Sequence, residues 1–184
     1  MSLRIWLPLN GNLDNYGLDQ SVYISSTADF NSGAYGKIGE KCCYFNNKQI
    51  TIDKPIIPLG NPEWSFACWF KLNQVSGTMT FFSEKKATDW NGYTIFLLPK
   101  TKVIYVDDGV RWSFTLPNSF SGFNSSDWYH LAVTKSANEK RIYLNGVLQG
   151  NTTTVGTSAA INSHGCLIGA CSTADNLTSV EHHF

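Results

Sequence analysis

Two short stretches of the sequence place an aromatic side chain beside a planar polar one. Trp90 precedes Asn91 in the segment ATDWNG, and Arg111 precedes Trp112 in the segment GVRW. Aromatic rings can pack against the apolar face of a sugar, while amide and guanidinium groups can hydrogen-bond to its hydroxyls. Tryptophan also fills protein cores, so each ring has that alternative. We interpret these four residues as candidate ligand-binding residues, with Trp69 as a further aromatic candidate.

Acidic side chains in the same two stretches could bind calcium. Calcium takes several oxygen ligands, and loops can supply them from separate parts of a chain. Asp89 with Asn91, and the adjacent pair Asp107 and Asp108, could meet at one rim if their strands pair. The alternative is that these are ordinary loop acids, with Asp108 and Gly109 forming the tip of a turn. Calcium is therefore the candidate cofactor, and no other cofactor is indicated.

The elements that carry these residues are predicted to be β-strands. Apolar runs and period-two alternation recur between clusters of Gly, Asn, Pro and Ser, and no amphipathic helical pattern is sustained over three turns. In EWSFACWFKLN, one face carries Trp64, Phe66, Cys68, Phe70 and Leu72, which predicts that this face is buried. About twelve short strands favour two stacked antiparallel sheets. The first of these strands is predicted in LRIWLP, and others in KCCYFNN and CLIGAC.

The segment RIYLNGVLQG is the clearest local signal in the chain. Its Asn145-Gly146 pair is typical of a two-residue type I′ turn, which needs positive φ at both positions. The preceding strand DWYHLAVTK and the polar turn SANEK complete a predicted three-strand meander. The order of these strands is therefore set by turn chemistry.

Length and composition favour one globular domain over residues 1–184. Hydrophobic residues make up 42% of the chain and charged residues 15%, and 14 Lys plus Arg balance 14 Asp plus Glu. No net field draws the chain to nucleic acid, and no apolar run approaches membrane-spanning length. The opening residues lack the apolar stretch of a signal peptide, so we expect synthesis in the cytoplasm. The five cysteines are interpreted as small buried hydrophobes rather than a disulfide framework or zinc site.

Several segments in order carry a family resemblance: LRIWLPLNGNLDNYG, GKIGEKCCYFNN, FACWFKL and DWYHLAVTKSANEKRIYLNGVLQG. Together they resemble a laminin-G-like jelly roll of the concanavalin A-like lectin/glucanase superfamily, most closely the domains found in phages and gut bacteria. The resemblance implies an all-β, two-sheet antiparallel jelly-roll sandwich used for glycan or protein recognition, sometimes with calcium at one rim. A closing strand usual in that family is not seen after CLIGAC, so either the chain is truncated or another chain supplies a strand to an open sheet edge by β-augmentation, and we expect the latter.

The resemblance also includes glucanases, which carry a Glu-x-Asp-x-Glu strand motif because retaining hydrolysis needs two carboxylates on one face. No such motif occurs here, and adjacent Asp107 and Asp108 would point to opposite faces of a strand. The chain is therefore predicted not to be an enzyme. We expect a recognition module for a glycan or cell-surface protein, displayed on a phage virion or bacterial surface. The alternative is a structural virion decoration or fibre protein, a homo- or hetero-oligomer assembled through the open edge.

Overall fold

The computed structural model describes residues 5–9, 12–30, 37, 41–58, 60, 62–85, 92–157, 165–174 and 176–181. None of the described residues belongs to a helix long and apolar enough to cross a membrane. They form thirteen strands: β1 (Ile24–Ser26), β2 (Ile50–Ile52), β3 (Trp64–Lys71), β4 (Met79–Glu84), β5 (Tyr93–Leu98), β6 (Val103–Asp108), β7 (Arg111–Thr115), β8 (Trp128–Lys135), β9 (Lys140–Leu144), β10 (Val147–Thr152), β11 (Cys166–Ile168), β12 (Cys171–Ala174) and β13 (Asn176–Glu181).

The strands form two main antiparallel sheets, as the all-β sandwich prediction required. One sheet has seven strands in the order β1-β2-β11-β4-β5-β6-β7, and the other has four in the order β10-β9-β8-β3. Strands β12 and β13 pair with each other as a separate hairpin. The facing sides of the two main sheets meet in an aromatic layer. The ring centroids of Phe70 and Phe81 are 4.8 Å apart, and those of Trp64 and Tyr93 are 6.1 Å apart. The predicted two-sheet sandwich is therefore confirmed.

Strand β3 shows how the sequence alternation sets the core. Trp64 and Phe70 are buried, and Phe66 and Cys68 pack against the same core cluster, while the intervening residues are exposed. Each β3 residue pairs with β8, from Trp64 opposite Lys135 to Lys71 opposite Trp128. The predicted core face of this strand is confirmed.

The β9–β10 hairpin has the predicted turn. Leu144 pairs with Val147, and the two residues between them, Asn145 and Gly146, have φ values of 52° and 80°. The Asn145 side chain also accepts a hydrogen bond of 2.8 Å from the backbone N–H of His130 in β8. The β8-β9-β10 meander therefore forms as the turn chemistry predicts.

Three predicted strands differ in the structure. Residues 5–9 are not a strand, because the chain turns back through a loop in which the Asn15 side chain accepts hydrogen bonds from the N–H groups of Trp6 and Gly17. The KCCYFNN segment contributes a single bridge, between Tyr44 and Asp29. The CLIGAC strand is split into β11 and β12 at Gly169, whose φ of 85° turns the chain. The β12–β13 hairpin was not predicted.

A buried ion pair joins the two main sheets. The Lys140 Nζ atom in β9 lies 2.8 Å from Asp108 Oδ1 in β6, and neither side chain is exposed. The Asp108 carboxylate also accepts hydrogen bonds from the backbone N–H groups of Val110, at 3.3 Å, and Gly156, at 3.1 Å. The Lys140 ammonium donates a further bond of 3.1 Å to the Val110 carbonyl. Buried charges need this degree of pairing and hydrogen bonding to be tolerated.

All five cysteines lie in the described residues, and none forms a disulfide. Cys166 and Cys171 are buried, and the other three are half-buried. Burial raises the pKa of the Cys43 thiol to about 12, with smaller contributions from Cys42 and Asp29. Burial also raises the pKa of the Cys68 and Cys166 thiols. These thiols therefore stay protonated over the range where cysteine normally begins to ionise.

We expect Asp108→Asn to lower the free energy of unfolding by about 3–5 kcal/mol, because it leaves the Lys140 ammonium buried without a counter-charge. Urea denaturation followed by tryptophan fluorescence measures this change. The double variant Asp108→Asn/Lys140→Met should be more stable than Asp108→Asn alone. As a control, Glu139→Gln removes the partner of the exposed Arg141 and should leave the midpoint unchanged. Equal stability of Asp108→Asn and the unmodified protein would contradict this account.

We expect iodoacetamide to modify Cys43, Cys68 and Cys166 in the folded protein at pH 8 much more slowly than in the protein unfolded in urea. The thiolate is the reactive form, and a raised pKa means that the thiolate forms only at higher pH. Mass spectrometry after timed quenching measures the number of labelled cysteines. Similar labelling rates in the folded and unfolded protein would show that the thiols are not protected in this way.

Candidate functional site

The β6–β7 hairpin separates the two residues that the sequence suggested as one binding pair. Trp112 pairs with the fully buried Val106, and it is half-buried against the core with its ring 6.0 Å from Phe114. Arg111 precedes it in the strand, pairs with Asp107 and is exposed on the outer face of the seven-stranded sheet. Adjacent residues of a strand point to opposite faces. Arg111 and Trp112 therefore lie on opposite faces of β7, and ligand binding by these two residues stays a prediction.

Arg111 instead lies beside two aromatic rings, Phe96 and Tyr105, that are not among the residues suggested by the sequence. Phe96 in β5 and Tyr105 in β6 are directly paired across the strands, and their rings are stacked with centroids 4.4 Å apart and planes 5° apart. The Arg111 guanidinium carbon lies 5.6 Å from each ring centroid. Both rings are half-buried. The three side chains therefore form one aromatic and cationic surface held by three paired strands.

A second interaction fixes the orientation of Arg111. Its Nε and Nη2 atoms each donate a hydrogen bond of 3.0 Å to the carboxylate of Asp107, which is 1% exposed. The hydrogen bond to Asp107 is the main cause of a raised pKa at Arg111, so the guanidinium stays charged. Two parallel bonds of this kind fix both the position and the plane of the group.

The start of the β12–β13 hairpin borders this surface. Cys171 in β12 is buried, and its Sγ atom lies 3.6 Å from Ser83 Oγ on β4. Ser83 pairs with Thr94, which in turn pairs with Asp107, so all three side chains face the outer side of the sheet. Thr94 and Ser83 are buried there. What stays accessible is an outer-face patch on β5, β6 and β7, which we define as Phe96, Tyr105, Arg111, Ser113 and Thr115.

The predicted metal ligands Asp107 and Asp108 point to opposite faces of β6. Asp107 is paired with Arg111 on the outer face, and Asp108 with Lys140 between the sheets. A calcium ion would have to displace one of these cationic side chains to reach either carboxylate. The third predicted ligand, Asp89, lies outside the described residues, and no cluster of three or more His, Cys, Asp or Glu side chains suited to a metal occurs within them. Calcium binding by these residues stays a prediction.

The predicted ligand-binding residues Trp90 and Asn91 also lie outside the described residues. The described residues that flank them are at the same end of the seven-stranded sheet as the β6–β7 turn, because Tyr93 at the start of β5 pairs with Asp108. Gly92 lies so close to Lys85 that a Cβ atom on it would be 2.3 Å from the Lys85 Cα. Binding by Trp90 and Asn91 stays a prediction.

Two further aromatic pairs are exposed elsewhere. Trp69 is 41% exposed on the outer face of the four-stranded sheet, and its ring lies 5.0 Å from that of its paired residue His130. Trp6 and Tyr16 have rings 5.8 Å apart and line a shallow cleft of about 280 Å³ with Pro8 and Asn12. Neither pair has a described arginine hydrogen-bonded in place beside it, in contrast to the outer-face patch.

Solved structures of carbohydrate-binding domains have a similar fold. Domain 4 of AbnA, a GH43 extracellular arabinanase from Geobacillus stearothermophilus solved in complex with arabinotriose, has a TM-score of 0.64 at 18% identity, over 100% of this chain and 89% of that one. The CBM40 of Ruminococcus gnavus IT-sialidase bound to α2,6-sialyllactose has a TM-score of 0.51 at 10% identity, over 68% of this chain and 71% of that one. At these identities the likeness shows a shared fold.

The sequence comparisons agree with the fold. No curated protein sequence matches the chain significantly. A laminin G family model, described as the concanavalin A-like lectin/glucanases superfamily, matches residues 46–179, which include every strand from β2 to β12. The chain therefore belongs to the concanavalin A-like lectin/glucanases superfamily, as the resemblance of its strand segments predicted.

Proposed function

We propose that the protein is a non-catalytic recognition module that binds a saccharide through the outer-face patch. The observation that carries this proposal is the stacked Phe96 and Tyr105 pair with Arg111 fixed beside it on an exposed sheet face. Such a surface offers aromatic area to the apolar side of a sugar and N–H donors to its hydroxyls. The arabinotriose complex of the GH43 domain and the sialyllactose complex of CBM40 support a saccharide as the ligand.

The surroundings of three buried carboxylates support a non-catalytic role. Asp107 and Asp108 are each held by a cationic side chain on opposite sides of β6. The buried Glu84 carboxylate accepts hydrogen bonds from the backbone N–H groups of Ile56 and Ile57, at 2.9 and 3.1 Å. Glycoside hydrolysis needs two carboxyl groups that flank a bound sugar, one of them able to donate a proton. These three acids instead serve to hold the fold and to orient Arg111.

The edge of the four-stranded sheet supports a second function, assembly with another chain. Among the described strands, the eight-residue strand β3 pairs with β8 alone. A long edge strand can accept a strand from a partner by β-augmentation. Such assembly would suit a virion decoration or fibre component, or display of the module on a phage or bacterial surface. Light scattering over a concentration series tests it: a monomer at every concentration argues against self-assembly.

We expect Tyr105→Ala to weaken saccharide binding about tenfold or more, which corresponds to about 1.4 kcal/mol, because it removes half of the stacked pair. Affinity electrophoresis against a panel of polysaccharides, followed by calorimetry with oligosaccharides of the retained type, measures the loss. The matched control is Trp69→Ala, which removes an exposed aromatic ring from the other sheet and should bind as the unmodified protein does. If Trp69→Ala lost binding and Tyr105→Ala kept it, the binding site would lie on the four-stranded sheet, which would contradict this proposal.

We expect Trp112→Ala to lower stability rather than saccharide affinity. The ring packs between the sheets, so its removal leaves a cavity that costs about 2 kcal/mol, less than for a fully buried tryptophan. Thermal unfolding and calorimetry on the same preparation separate the two effects. A folded Trp112→Ala variant of unchanged stability that has lost its binding would show that Trp112 contacts the ligand.

A further inference from the structure

The outer-face patch contains very little charge. Of the residues that β5, β6 and β7 direct to this side, only Asp107 and Arg111 are ionised. The others are hydroxyl or apolar side chains: Thr94, Phe96, Leu98, Val103, Tyr105, Ser113 and Thr115. Lys85, which contacts the start of β5, is 5% exposed and so presents little charge to a ligand. Among the described residues of β5, β6 and β7, the charge on this surface therefore comes from one ion pair.

That ion pair is already neutral as a unit. Both donor atoms of Arg111 on the Asp107 side are 3.0 Å from carboxylate oxygens, so the positive charge is compensated at contact distance. An acidic group on a ligand would be attracted by Arg111 and repelled by Asp107 over nearly the same distance. Drawing Arg111 away would also leave the almost fully buried Asp107 without its counter-charge, which is costly. The patch is therefore a poor site for a carboxylate.

The same ion pair still allows hydrogen bonds to an uncharged ligand. The Arg111 side chain is 43% exposed beside the two rings. Hydroxyl oxygens can accept hydrogen bonds from it without displacing Asp107. The hydroxyls of Tyr105, Ser113 and Thr115 can donate as well as accept. Directional but uncharged hydrogen bonding beside an aromatic surface suits a sugar ring that carries hydroxyls only.

We propose that the outer-face patch selects uncharged saccharides over those that carry a carboxylate, such as sialylated or uronic acid chains. This inference rests on the proposed function of the same patch. It follows from the neutralised Arg111–Asp107 pair and the absence of other ionised side chains from this face of the described β5, β6 and β7. Binding should then depend little on ionic strength, because screening affects net charges most strongly.

The test compares probes that differ in charge alone. Calorimetry and affinity electrophoresis would use lactose-terminated chains against their 3′-sialylated forms, and methyl-esterified polygalacturonate against the free acid. A neutral polysaccharide panel that includes arabinan would be run beside them. We expect the uncharged member of a recognised pair to bind about tenfold or more tightly. We also expect its affinity to change less than about twofold between about 50 and 500 mM NaCl.

The Asp107→Asn variant tests most directly whether the ion pair causes the selectivity. It removes the compensating charge and keeps the size of the side chain, so the ratio of the affinity for the acidic member to the affinity for the neutral member should rise several-fold. The double variant Asp107→Asn/Arg111→Gln should lose that gain, and circular dichroism checks that each variant is folded. If the unmodified protein bound the acidic probes more tightly than the neutral ones, this inference would be overturned. If Tyr105→Ala then lost the binding of the acidic probes, the outer-face patch would still be the saccharide site, and the proposed function would stand. Failure of the folded protein to bind any probe would overturn both.

Discussion

The buried pair of Asp108 and Lys140 is the interaction on which the described arrangement depends most. It connects β6 of the larger sheet to β9 of the smaller one, and through Gly156 it also holds the chain that follows β10. A Cβ atom on Gly156 would lie 2.5 Å from the Asp108 carbonyl oxygen, so only glycine lets the chain come this close. Two fully buried charges contribute less net stability than apolar residues of the same size. They do fix how the two sheets align, since neither charge tolerates loss of its partner.

The alignment of β6 determines the chemistry on both of its faces. Because residues alternate along a strand, Asp108 can point to Lys140 only if Asp107 points outward to Arg111. The same register places Tyr105 on the outer face opposite Phe96. The position of β6 therefore determines both the ion pair between the sheets and the aromatic patch on the outer face. A slip of β6 by one residue would turn Tyr105 and Asp107 toward the core and would expose Ile104, Val106 and Asp108.

Local signals in the sequence predicted the fold well. The alternation in EWSFACWFKLN identified the buried face of β3, and Asn145-Gly146 identified the hairpin turn. The candidate site was predicted less well, because it depends on pairing between strands. Phe96 and Tyr105 meet across the turn at residues 99–102, so their contact depends on the register of β5 and β6, which neither strand shows alone. The sequence did contain one signal for the ion pair. Lys140 alternates with the buried Ile142 and Leu144, so it lies on the buried face of its strand and needs a buried acidic partner.

The central claim is that the outer face of β5, β6 and β7 binds the ligand. Its most direct test is a titration of isotopically labelled protein with a retained oligosaccharide, monitored by the shifts of assigned backbone amide signals. The account predicts that the saturable shifts cluster at Phe96, Tyr105, Arg111 and Ser113. Shifts that cluster around Trp69 and His130, or around Trp6 and Tyr16, with the signals of β5, β6 and β7 unmoved, would contradict it.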